Sequence, residues 1–81
     1  MDGPFDSHRE KFRQLLRQAR SNAGLRQADL AARLSRPQSF VSKYESGERR
    51  LDLVEVWEIC CALGLSLRDL AKQFEEAIDE A

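Results

Sequence analysis

The sequence predicts an all-α protein of five short helices packed as one domain. Three observations point there. Apolar residues recur at three- and four-residue intervals along most of the chain, and no run alternates as a half-buried strand would. Capping residues and glycines fall at the ends of those periodic stretches. The gaps between them are two to seven residues long, as in a compact helical bundle.

The first helix is expected over about residues 7–22. Ser7 and Glu10 have capping-box spacing, Phe12, Leu15, Leu16 and Ala19 form an apolar stripe, and Gly24 suits a left-handed stop. The second covers about residues 27–34, with Ala28, Leu30, Ala31 and Leu34 inward; Arg26 stands where a capping hydroxyl is expected. The third covers about residues 37–45. Pro37 suits a first helical turn, Phe40, Val41 and Tyr44 are its apolar residues, and Ser46-Gly47 closes it. The fourth covers about residues 53–63, capped by Asp52 with Glu55 three residues on and stopped by Gly64. Its buried face is read as Leu53, Val56, Trp57, Cys60 and Leu63. The fifth covers about residues 67–79, capped by Ser66, with Leu67, Leu70, Ala71, Phe74 and Ile78 as its stripe. Residues 1–6 are expected to be disordered, and residues 7–81 to form the single domain.

Composition removes several function classes. With 42% hydrophobic and 33% charged residues the chain is too apolar for a disordered one. No stretch approaches the ~18 apolar residues of a membrane span, and the acidic N-terminus has no secretory signal. Cys60 and Cys61 are adjacent, which gives neither a disulfide framework nor metal-ligand spacing; the expected compartment is the reducing cytoplasm. Cys60 is expected to pack as a small hydrophobe, with Cys61 more exposed. His8 is the one histidine and has no catalytic neighbours in sequence. There is no glycine-rich phosphate loop. The chain is therefore not expected to be an enzyme, nor to hold a cofactor or metal.

The net charge of −1 hides an asymmetry. Residues 9–50 hold eleven Lys and Arg against four acids, a net +7; residues 51–81 hold two against eight, a net −6. A basic face can bind a polyanion while the acidic half points away. Two short helices joined by a tight turn, 27–34 and 37–45, fall inside the basic part. A helix-turn-helix uses this layout to push its second helix into the major groove of double-stranded DNA. The front and N-terminal end of that helix carry Gln38, Ser39, Ser42 and Lys43, short or medium polar groups that can reach base edges, and none of the four is acidic.

Gln27-Ala28-Asp29-Leu30-Ala31 and Gln38-Ser39-Phe40-Val41-Ser42-Lys43-Tyr44-Glu45-Ser46-Gly47 resemble the Xre/Cro family of helix-turn-helix regulators, whose fold is that of phage repressor DNA-binding domains. Ala62-Leu63-Gly64-Leu65-Ser66 is similar to the family's turn between its last core helices, so the resemblance spans about residues 9–70. It implies that Gln27 contacts a phosphate and braces Gln38, which reads a base, and that Ser39, Ser42 and Lys43 fall on contact positions. Arg26, Arg36, Arg49 and Arg50 flank the helix and suit phosphates. Pro37 departs from the family's hydroxyl residue. The family also pairs an arginine and a glutamate at the positions of Arg20 and Glu45, and a fork between them is expected to be partly dry. The implied function is a sequence-specific transcriptional regulator, a repressor rather than an activator, acting as a homodimer on a palindromic operator. Leu67, Leu70, Phe74 and Ile78, on a C-terminal helix of about residues 66–79, are expected to form the dimer interface. The competing reading is an antitoxin-like or partner-docking module, with a protein partner encoded nearby; it draws on the acidic amphipathic tail from Leu67 to Ile78.

Overall fold

The computed structural model describes residue 3 and residues 5–79. The order is α1 (Asp6–Asn22), α2 (Gln27–Arg33), α3 (Gln38–Ser46), α4 (Leu53–Leu63) and α5 (Leu67–Asp79). α2 packs chiefly on α3. α1 lies across α3 and α5, and α4 closes the bundle against α2 and α5. Of the expected disordered N-terminus, residues 1, 2 and 4 lie outside the described residues, whereas Phe5 and Asp6 cap and begin α1.

The helix ends follow from local chemistry. Asp52 accepts the Glu55 N–H at 2.7 Å while Glu55 accepts the Asp52 N–H at 2.9 Å, a complete capping box. Ser66 accepts the Asp69 N–H at 3.0 Å. Gly47 turns the chain out of α3 at φ 89°, and a Cβ there would stand 3.0 Å from the Arg13 guanidinium carbon. Two expectations fail. Ser7 does not cap α1, because the helix starts a residue earlier: Asp6 takes the Gly3 N–H and pairs with Arg9, leaving Ser7 inside the first turn. Pro37 is not the first residue of α3 but its N-cap, with extended backbone and its carbonyl accepting the Phe40 N–H at 3.0 Å. The turn before it carries Ser35 at φ 55°, a left-handed conformation that L-residues adopt at some cost.

One core joins all five helices: Leu16 from α1, Leu30 and Ala31 from α2, Phe40, Val41 and Tyr44 from α3, Val56, Ile59 and Cys60 from α4, and Leu70 from α5. α4 is rotated from the expected register. Trp57 and Leu53, expected inside, are 54% and 69% exposed, while Ile59 is fully buried. α4 is apolar almost all round, so two stripes fit its periodicity, and packing on α2 and α5 selects Val56, Ile59 and Cys60. Ala28 and Ala71 are also exposed, at the borders of their stripes. No described helix is long and apolar enough to cross a membrane.

Candidate nucleic-acid interface

α3 presents two faces. Phe40, Val41 and Tyr44 are buried, at the i, i+1, i+4 spacing that keeps them on one side. Gln38, Ser39 and Lys43 are exposed on the other, and Ser42 is half-buried. The Ser42 hydroxyl donates to the Ser39 carbonyl at 3.3 Å, so outwardly it offers mainly an acceptor. No acidic side chain interrupts this front before Glu45, which turns inward.

Glu45 anchors the helix from behind. Its carboxylate accepts from Arg20 Nε at 2.8 Å and Nη2 at 3.0 Å, the expected fork, and the side chain is only 4% exposed. A further Arg20 nitrogen donates to the Leu25 carbonyl at 2.8 Å, tying the end of α1 to the loop before α2. The Glu45 bond raises the Arg20 pKa against the opposing pull of burial. Gln27 is the third member: its amide donates to Glu45 Oε1 at 3.0 Å. Gln27 is thus braced on Glu45, and its amide oxygen stays free to accept. A buried carboxylate with a free lone pair draws the nearest amide more strongly than an exposed neutral partner does.

The flanking arginines are less free than their sequence positions imply. Arg26 bonds Asp29 through Nε at 3.1 Å and Nη2 at 3.0 Å, and Asp29 also accepts the Arg26 backbone N–H at 2.9 Å. The start of α2 is thus capped from its third residue, not its first. These bonds hold the Asp29 carboxyl at about 2. Arg49 bonds both oxygens of Glu55, at 3.1 and 2.8 Å, and the Arg50 carbonyl at 3.0 Å. Its guanidinium lies 4.8 Å from the Phe40 ring centre, and that of Arg36 lies 4.3 Å from the same centre. Arg36 Nη2 stands 3.8 Å from both Glu55 and Glu58, close enough for attraction but beyond a hydrogen bond. Arg50 is exposed. The Arg49 fork and the Asp52 backbone bond hold the Glu55 carboxyl below its usual range. Nothing in the sequence beyond capping spacing marks Glu55; it joins this cluster because Arg49 folds back over Phe40.

Between these side chains lies a cleft of about 430 Å³, lined by Arg36, Ser39, Phe40, Lys43, Glu48 and Arg49. Three cations face one carboxylate there, beside the exposed front of α3. The opposite end of the molecule is different. Leu70 is 1% exposed in its own core, and the Phe74 ring meets Phe12 edge-on at 5.6 Å. Lys11 reaches the Ala77 carbonyl at 3.1 Å. Leu67 and Ile78 are half-buried. Of the expected dimer stripe, Leu70 belongs to the core and Phe74 packs on Phe12, while Leu67 and Phe74 also line an open apolar groove with Phe5 and Leu53. The exposed large apolar side chains are instead Leu53, Val54 and Trp57, on one side of α4, and Phe5. Burial raises the Cys60 thiol pKa, which leaves it a packing group.

A family model described as a helix-turn-helix domain matches residues 11–74. Among solved structures the chain is similar to an XRE-family like protein from Pseudomonas syringae pv. tomato str. DC3000. The two are 44% identical with a TM-score of 0.83, over 89% of this chain and 88% of that one. No curated protein matches the chain.

Proposed function

The chain belongs to the XRE family of helix-turn-helix proteins, DNA-binding regulators, and on that premise we propose that it represses transcription as a homodimer on a palindromic operator. The observation that carries the reading is the front of α3: Gln38, Ser39 and Lys43 are exposed together, with no acid among them, on a helix fixed from behind. Gln38 reads a base edge, where its amide matches adenine, and Lys43 takes guanine or a phosphate. Ser39 and Ser42 supply shorter contacts. Arg36, Arg50 and, through its remaining donors, Arg49 hold the backbone, with Arg26 and Gln27 at the start of α2.

A nine-residue α3 reaches only a few base pairs, so a single copy selects poorly. Two copies related by a two-fold axis would set their reading helices one DNA turn, about 34 Å, apart. The exposed Leu53, Val54 and Trp57 of α4 support a pairing surface, and Leu53 shares an apolar groove with Leu67 and Phe74 of α5. Regulation of this kind belongs in the cytoplasm, at the nucleoid. The partner-docking alternative keeps its basis in the acidic, amphipathic α5, and the front of α3 favours the DNA reading over it.

Selection of bound sites from random duplexes tests the reading. Recovery of a two-fold symmetric motif is expected, with Gln38→Ala relaxing one base pair per half-site at about 1–3 kcal/mol. Failure to enrich any sequence would refute sequence-specific regulation. Sedimentation of wild type and Trp57→Glu tests the pairing: a dimer reduced to a folded monomer is expected, and a wild type already monomeric at operator-binding concentrations would refute it.

A further inference from the structure

Glu55 does not face the front of α3, yet it touches or approaches both arginines that border the cleft. We propose that Glu55 is a positioning residue of the DNA interface: it holds Arg49 and steers Arg36 over the Phe40 ring so that both present their free N–H groups to one stretch of DNA backbone. The inference rests on the DNA-binding reading above.

Two guanidiniums over one ring repel each other. The Glu55 carboxylate, 2.8 Å from Arg49 and 3.8 Å from Arg36, offsets that repulsion. It is also fixed. As the third residue of α4 it accepts the Asp52 N–H, and its side chain is only 12% exposed. A fixed carboxylate fixes the arginine that forks onto it. Arg49 then gives three of its five N–H groups to Glu55 and the Arg50 carbonyl and keeps two. The Arg36 guanidinium makes no hydrogen bond among the described residues, so its fork is available. The two cations differ in role: Arg49 is a rigid wall and Arg36 a preset ligand.

The proposal has a sign opposite to simple electrostatics. Removing an acid beside a DNA-binding face raises the net charge and ordinarily tightens binding to a polyanion. Here the loss of positioning outweighs the gained charge. Glu55→Gln is the suitable variant, because glutamine keeps the capping bond and hence the start of α4. Glu58→Gln is the control: it removes the same charge at the same 3.8 Å from Arg36 but breaks no fork.

The experiment measures binding of an arbitrary 30-base-pair duplex, since phosphate contacts do not depend on sequence, across a range of salt. Thermal melts accompany it. Glu55→Gln is expected to bind about threefold or more weakly than wild type while still folded. Its salt slope should be shallower by about 0.9 for each phosphate that is no longer neutralised. Glu58→Gln should bind equally or more tightly. Arg49→Lys, which keeps the charge but not the fork, should follow Glu55→Gln. If Glu55→Gln binds as tightly as Glu58→Gln, or weakens with an unchanged slope, the positioning role is overturned and the DNA reading stands. If wild type binds no duplex even at low salt, both fall.

Discussion

Two arginine–carboxylate forks of nearly equal length flank α3 in very different surroundings. Behind the last turn of α3, Arg20 and Glu45 meet at 2.8 and 3.0 Å with side chains 12% and 4% exposed. Beside its first turn, Arg49 and Glu55 meet at 2.8 and 3.1 Å with side chains 37% and 12% exposed. Distance alone would rank them together. Solvent separates them. The first fork is walled in and carries a third partner, Gln27, so each charge depends on the other for solvation. In the second, water already reaches the arginine, which limits what the pair adds to stability but leaves donors for a ligand. One fork is enclosed by the fold, and the other borders the face we propose for DNA.

The sharpest way to break this comparison is Glu45→Ala. It strands a guanidinium and an amide in a nearly dry site and should destabilise the domain by about 3–5 kcal/mol in a denaturant titration. Gln27→Ala leaves the fork and removes one charge-assisted bond, so about 1.5 kcal/mol is expected by the same measurement. Arg49→Ala should destabilise far less than Glu45→Ala, and moderate salt should erase most of that effect while leaving the Glu45→Ala loss in place. Equal losses in the two forks, or equal salt sensitivity, would dissolve the distinction.

The smallest expected effect is in acid. The Glu55 carboxyl lies below its ordinary 4.5 in the fold, and that of Asp29 lies at about 2 against an ordinary 3.8. Folded values below unfolded ones mean that each group stabilises the fold above its ordinary value and stops doing so as pH falls through its folded one. Stability should therefore decline from about pH 5 towards pH 2. Glu55→Gln and Asp29→Asn should each flatten part of that decline, read from melting midpoints against pH. Arg20 has a raised pKa, so its own contribution is present at low and neutral pH and would be lost only in strong alkali.

Much of this was legible in sequence, for identifiable reasons. α4 and α5 begin at Asp52 and Ser66 because a capping oxygen acts through its immediate neighbours, which sequence order fixes. The helix-turn-helix was readable from the resemblance of two short segments, and so was the Arg20–Glu45 fork. What escaped depends on which helix covers which. Trp57 reads as core only if α4 takes one of two equally apolar registers, and the choice is made by α2 and α5. The packing of Phe74 on Phe12, 62 residues earlier, likewise lies outside what the α5 sequence encodes. Arg26 lacks a capping oxygen, and the reversed solution through Asp29 needs the carboxylate to serve backbone and side chain together. The Glu55 cluster depends on the rotamer of Arg49, which no spacing encodes.

The central claim is that the exposed front of α3 and its arginine flank meet DNA while α4 and α5 stay away from it. Backbone amide chemical shifts recorded during titration with a short duplex test this most directly. The expected result is that the largest changes fall on Gln27, on Arg36–Lys43 and on Arg49 and Arg50, with the exposed side of α4 around Trp57 and the length of α5 little affected. Changes centred on Leu53, Val54 and Trp57, with α3 silent, would contradict the account.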